Sequence, residues 1–319
     1  MFGVALPGRG PLAKPDLILK IAERAESLRF SSVFVTDHVV LPVSAATSIY
    51  PYSPTGQFPG GMEQDYLEPL TLMSHLARAT RRVRLGTSVL VIPYRNPVVT
   101  AKMLATIDVL SGGRVILGAG VGWLQEEFDA LAAPPFAERG RVTNEYLQIM
   151  RACWTKAPVS FHGRYYSLRE VYALPRPSQA GGIPIWIGGH TDGALRRAGE
   201  LGDGWHPIGS RPPARLEPTE YAQKVRQLHA YARAAGRDPT SIALTFRVPM
   251  QVLPSRSRAA AGDRPRFQGT AAQVTADVRE YQALGVTHFV FDAVARDGKA
   301  ILTNMERFAN DVRPKIKPK

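Results

Sequence analysis

The chain has 319 residues, 45% of them hydrophobic, and carries 40 Lys and Arg against 27 Asp and Glu, a formal net charge of +13. That length admits two average domains or one large α/β domain of about 250 residues with insertions. Its one cysteine, Cys153, excludes an internal disulfide framework and a cysteine-rich metal site, and in the helix-like run TNEYLQIMRACW it is expected to be a small buried apolar residue.

In chain order, the first strand is read at FGVAL (2–6), followed by a helix with Leu17, Ile21, Ala25 and Leu28 on one face. The second strand, SVFVT (32–36), ends in Asp37-His38, and residues 42–66 then carry prolines, glycines and three tyrosines with no sustained period. VRLGTS (83–88) ends in Thr87-Ser88 and leads to a helix with apolar positions Val99, Met103, Ile107 and Leu110. RVILG (114–118) runs into Gly118-Ala119-Gly120-Val121-Gly122-Trp123, and IPIWI (183–187) into Gly188-Gly189-His190, with a helix starting near Thr191 or Asp192. GWHPI (204–208) and ALTFRVPMQVL (243–253) follow, then the arginine-rich stretch 254–268, THFVF (287–291), and a last helix marked by Ile301, Met305, Phe308 and Val312. Eight strand and helix pairs without a linker predict a single (β/α)8 TIM barrel over 1–319, and four of the strands are nearly continuous apolar runs suited to a parallel sheet covered on both faces. A two-domain Rossmann arrangement is the structural alternative. Residues 42–66 and 254–268 are long irregular segments and therefore candidate lids.

The glycines after the fourth strand do not form a dinucleotide fingerprint, because Trp123 stands where G-x-G-x-x-G needs its third glycine and no acidic ribose ligand follows. In a β/α barrel chemistry collects at the C-terminal strand ends, and here Asp37-His38, Thr87-Ser88, Gly122-Trp123 and Gly188-Gly189 fall on that rim. The glycines suit either tight turns or close approach of backbone to a flat ligand beside the Trp123 ring. Gly188-Gly189 before a helix suits an anionic group. His38 beside Asp37 can be held in one tautomer for proton transfer. Asp37-His38 is a poor metal site, since neighbours on a strand point to opposite faces, and His190 with Asp192 supplies too few ligands. A G-x-S-x-G elbow and a P-loop are both missing. The basic balance attracts polyanions, yet no Lys/Arg block of five or more occurs, so nucleic acid is not expected as a partner. No window reaches the ~18 apolar residues of a membrane helix, and the N-terminus shows no leader pattern, so a cytoplasmic protein is expected.

SVFVTDH, RLGTSVLVIPYRNPVVTAKMLATIDVLSGGRVILGAGVGWLQEEF, FHGRYYSL and IPIWIGGHTDGALRRAGELGDGW together resemble the luciferase-like monooxygenase superfamily, and within it the F420-dependent oxidoreductases. The likeness covers roughly residues 1–206. It implies a cofactor at the C-terminal rim, with Asp37 and His38 beside the deazaflavin ring, His38 as proton donor, acceptor or charge stabiliser, and a non-proline cis peptide at Ser88-Val89 behind the ring. It further implies Thr87, Gly122, Trp123 and Glu126 as cofactor contacts and Gly188-Gly189 as a phosphate-contacting turn. One departure is Trp123, which stands where the sugar-phosphate dehydrogenases of the family carry a glutamate. The implied activity is hydride transfer between coenzyme F420 and a small-molecule substrate. The alternatives are an FMN-dependent monooxygenase served by a separate reductase and a non-catalytic flavin- or F420-binding barrel. The resemblance also implies a homodimer, and Arg256, Arg258, Arg264 and Arg266 are candidate contacts for the acidic tail of F420.

Overall fold

A computed structural model describes all residues except 46–47, 255–256, 258–263 and 317–319. Eight parallel strands form the barrel: β1 Phe2–Ala5, β2 Ser32–Val35, β3 Arg84–Thr87, β4 Val115–Gly120, β5 Ile185–Gly188, β6 Gly204–His206, β7 Ala243–Val252 and β8 His288–Ala293. Each pairs with the next, and β8 returns to β1 through Phe2↔Phe289 and Val4↔Phe291, so the ring closes. The eight strands read from the sequence are these eight, shifted by at most two residues at their starts and ends. The Rossmann alternative is thereby excluded, since that fold leaves an open sheet.

Helices α1 (Pro15–Ser27), α2 (Pro69–Ala79), α3 (Pro97–Ser111), α4 (Gln125–Ala130), α5 (Arg139–Thr155), α6 (Asp192–Leu201), α7 (Pro218–Ala234), α8 (Ala271–Ala283) and α9 (Gly298–Arg307) lie between or after the strands. Their starts are chemically marked. Asn96 accepts hydrogen bonds from Val98 N and Val99 N ahead of Pro97, Thr191 caps α6, Asp297 caps α9, and Thr270 with Gln273 forms a capping box on α8. The short hairpin Val159–His162 with Ser167–Val171, antiparallel, is an element that the periodicity did not predict; FHGRYYSL falls on it.

The apolar face predicted for α3 is corrected by the structure. Val99, Met103 and Leu110 are exposed, whereas Ala101, Leu104, Ala105 and Ile107 are buried. Small side chains at 101 and 105 let α3 approach its neighbours α2 and α5 closely, and the Trp154 indole of α5 donates to the Ala101 carbonyl at 3.0 Å. The α1 and final-helix faces fall where the spacing predicted, with Ile21, Ala25, Ile301, Met305, Phe308 and Val312 buried. Cys153 is buried among apolar residues.

Inside the barrel, Phe34, Ile116, Trp186 and Val290 make a separate apolar layer. Phe34 stacks on the His206 ring at 5.4 Å and on Trp186 at 5.7 Å. This layer plugs the barrel, as side-chain layers do in such folds, and leaves the C-terminal rim as the place where polar groups meet.

Candidate active site

After β3 the chain bulges inward at Ser88-Val89, whose peptide bond is cis. The glycines of neighbouring strands make room for this bulge. A Cβ on Gly118 would lie 1.9 Å from the Thr87 carbonyl oxygen, one on Gly120 would lie 2.3 Å from Val89 Cγ2, and one on Gly188 would lie 2.7 Å from Val89 Cγ1. Gly122, with φ +87°, similarly faces Phe128 and Val91. Gly118, Gly120 and Gly188 thus admit the protein's own bulge, where the sequence suggested close approach of a ligand. Thr87 also faces inward to this packing, donating from Oγ1 to the Gly118 carbonyl at 2.8 Å.

His38 follows β2 and is 6% exposed. Its Nδ1 lies 2.5 Å from Oε2 of Glu127, a side chain with no exposure. The same carboxylate accepts from Tyr94 OH at 2.9 Å, and through Oε1 from Val39 N at 2.7 Å and Val40 N at 3.2 Å. Both oxygens of this carboxylate accept, so Nδ1 of His38 donates and Nε2 is the ring atom left for other chemistry. Sequence reasoning singled out Glu126, but that side chain accepts from Ser48 Oγ at 2.6 Å in the 42–66 insert. Glu127 was missed because the two glutamates are adjacent, and only the helical phase of α4, which buries Glu127 with Phe128, separates their directions.

Asp37 points the other way from His38. Its carboxylate takes both Nη1 and Nη2 of Arg95, at 2.7 and 2.8 Å, and Val91 N at 2.8 Å. Arg95 also reaches Glu68 at 3.0 Å. Asp37, expected from sequence as a cofactor contact, is in this structure a clamp that ties the end of β2 to the segment after the bulge.

The floor of the mouth is built by residues on one parity of β6, β7 and β8. Thr245 Oγ1 donates to the Trp205 carbonyl at 2.9 Å and so receives Nδ1–H of His206 at 2.6 Å. His206 Nε2 is then bare and accepts from Ser88 Oγ at 2.7 Å. Burial, with the nearby Arg247 charge, pushes the His206 imidazole down to about 3, so it is neutral. Arg247 reaches across from β7 to the bulge after β3, donating from Nη1 to the Ser88 carbonyl at 2.5 Å and to Ser88 Oγ at 3.1 Å. Its Nε and Nη2 hold Asp292, which also accepts from Arg211 Nη2 at 2.8 Å. Burial works against the Asp292 carboxylate, but Arg247 and Arg211 hold it below the usual range. Of these residues, Ser88 was singled out from sequence and the others were not. The available signal was polar residues of one parity within apolar strands, Thr245 and Arg247 two apart in one and His288 and Asp292 four apart in another.

The 42–66 insert packs over this mouth. Phe58 meets the His38 ring at 5.1 Å and Trp123 at 5.7 Å, Tyr50 meets Trp123 at 5.1 Å, and Trp123 meets His38 at 5.9 Å. Tyr66 lies 5.2 Å from His38 and donates to Thr36 Oγ1 at 2.5 Å. Burial pushes the Tyr50 phenol up and that of Tyr52 up to about 12, while Arg247 is close enough to oppose both. A cavity of about 590 Å³ is lined by insert residues such as Ser48, Gln57, Phe58 and Met62 and by Trp123.

The structure thus brings His38, Ser88, Val89, Trp123 and Gly188 around one mouth. Gly189, at φ +86°, accepts at its carbonyl from Trp205 Nε1 at 2.8 Å, and Asp192 accepts from Gln227 and Tyr231 on α7. Arg264 is bidentate on Asp277, and Arg266 pairs with Glu217 and Glu280, so these two loop arginines are tied to carboxylates of α8 and of the residue before α7. Arg256 and Arg258 lie outside the described residues. Among the described residues no group of three His, Cys, Asp or Glu is placed to hold a metal ion, and no helix is long and apolar enough to cross a membrane.

A family model described as luciferase-like monooxygenase matches residues 1–267. An uncharacterized protein of Mycobacterium tuberculosis is 35% identical over 196 residues, 61% of this chain and 66% of that protein, so the match spans just under two thirds of its length. An F420-dependent glucose-6-phosphate dehydrogenase of Amycolatopsis mediterranei is 28% identical over 338 aligned positions, covering 95% of each chain. Among solved structures, a monooxygenase from Streptomyces bottropensis superposes with a TM-score of 0.79 at 22% identity over 98% of each chain, which shows the shared fold. With the closed parallel barrel and the family match over residues 1–267, this chain belongs to the luciferase-like monooxygenase family.

Proposed function

We propose that the chain is an F420-dependent oxidoreductase that moves a hydride between the deazaflavin and a small or medium organic substrate beneath the 42–66 insert. The observation that carries this reading is the donor set of the mouth. Asp37, Glu127 and Asp292 are each engaged by protein donors, which leaves the His38 ring and the positive charge of Arg247 facing inward. Such a set fits an electron-rich reduced ring. Val89 at the bulge and Trp123 would hold its faces, with Gly188-Gly189 toward its phosphate. The likeness to an F420-dependent relative along nearly the whole chain supports F420 as the cofactor. The monooxygenase of the same fold favours a second reading, an FMN-dependent monooxygenase fed by a separate reductase.

When bound, deazaflavin supplies hydride transfer without dioxygen activation, whereas FMN supports monooxygenation. The chain's own residues supply the rest. Glu127 fixes Nδ1 of His38, so Nε2 takes or gives the proton that accompanies oxidation or reduction of the substrate. The Asp37–Arg95 clamp holds the segment after the bulge, and Phe58, Tyr50 and Tyr66 exclude water from the His38 ring. Side-by-side titration with F420 and FMN, followed by absorbance, tests the reading. Tighter binding of F420 is expected; preference for FMN with substrate-dependent oxygen uptake establishes the second reading, and binding of neither overturns both.

A further inference from the structure

The charges at the β7–β8 side of the mouth do not balance. Arg247 and Arg211 share one carboxylate, Asp292, so the cluster carries one excess positive charge. Arg247 is 11% exposed and committed, with Nε and Nη2 on Asp292 and Nη1 on Ser88. Arg211 is different: it is 38% exposed, and among the described residues its hydrogen bond is the single one from Nη2 to Asp292. The other carboxylates of the mouth are bonded elsewhere, Asp37 to Arg95 and Glu127 to His38, Tyr94 and two backbone amides, and neither pairs with Arg211. Beneath lies the neutral His206, and Arg211 and Arg247 lie within electrostatic reach of the protonated Tyr50 phenol. A partly desolvated, uncompensated guanidinium is costly unless an anion meets it, and its planar fork matches a carboxylate or phosphate.

We infer that Arg211, backed by Arg247 and Asp292, seats an acidic group of the substrate, a carboxylate or a phosphate. This deepens the oxidoreductase reading and rests on it for the mouth being the substrate site. It assigns the substrate to the class of organic acids or phosphate esters, with the acidic group anchored on the β7–β8 side and the reacting carbon directed toward His38.

Calorimetric titration of the wild type, Arg211→Gln and Arg211→Lys with inorganic phosphate and with benzoate tests it, alongside F420 and FMN titrations of the same proteins. The wild type is expected to bind at least one of the two anions. Arg211→Gln should weaken that binding roughly 10- to 100-fold, the loss expected for a charge-assisted hydrogen bond. Arg211→Lys should keep part of it, added salt should weaken it, and cofactor affinity should stay unchanged. Preference for phosphate or for benzoate tells which acid the site takes. Equal anion binding by wild type and Arg211→Gln, or none by wild type, overturns the inference while leaving the cofactor reading intact. Loss of cofactor binding in Arg211→Gln also overturns it, by giving the cluster to the cofactor. Failure of wild type to bind either cofactor strikes the oxidoreductase reading instead.

Discussion

At the scale of single residues, the chemistry turns on what each side chain has already bonded. His38 is useful because Glu127 occupies Nδ1 and leaves Nε2 available. His38→Ala is therefore expected to lower turnover by about 10²–10⁴-fold with cofactor affinity little changed; equal activity in the variant removes the proton-transfer role. Glu127 acts through His38 as a positioning residue. Glu127→Gln replaces the carboxylate acceptor with an amide, so turnover should fall by about tenfold or more and the pH profile should shift, because the His38 ring loses the carboxylate that holds Nδ1. A merely structural role for Glu127 leaves the profile where it was. Asp37 shows the opposite case. Its sequence position suggested a ligand contact, but Arg95 and Val91 N take its oxygens, and nothing in a strand end reading Asp-His tells which of the two faces the mouth.

At the scale of elements, the glycines of β4 and β5 and the bulge after β3 form one packed unit. Gly120→Ala should destabilise the protein by about 1–3 kcal/mol through overpacking, since its Cβ would meet Val89 Cγ2 at 2.3 Å. Adding Val89→Ala should recover part of that loss in a denaturation-based double-mutant cycle, and strict additivity would refute the contact as the cause. The insert is a second unit. Removing its aromatic cover with Phe58→Ala and Tyr50→Ala should raise KM or let water compete with the productive reaction, and unchanged kinetics would reduce the insert to ordinary surface. Strand identity was legible because apolar runs mark parallel strands. The buried face of α3 was not, because large residues at Val99, Met103 and Leu110 look like core while close helix packing selects Ala101 and Ala105. The floor was written in the strands as alternating polar residues, but the same residue types also occur as satisfied interior groups, and only the closed barrel shows that Arg247 reaches Ser88 across it.

At the scale of the molecule, the barrel brings residues from β2, β3, β4, β5, β7 and β8 to one rim over a neutral interior. That neutrality has a pH signature. The folded state holds His206 at about 3, against an ordinary histidine value near 6.5, so below about pH 6.5 the unfolded chain binds the proton that the folded chain refuses. Stability is then full above that pH and falls as the pH drops toward 3, and buried His288, also held well below its ordinary value, adds to the loss. His206→Gln should flatten the acid limb of stability between about pH 6 and pH 4 by close to one proton in slope; an unchanged slope contradicts a neutral buried imidazole.

The central proposition is that a planar redox ring sits at this rim, and a crystal structure of the protein grown with F420 tests it most directly. The account predicts difference density for the ring beside Val89, within reach of His38 and under Trp123. Density for the ring on another surface of a well-ordered, saturated complex would contradict it.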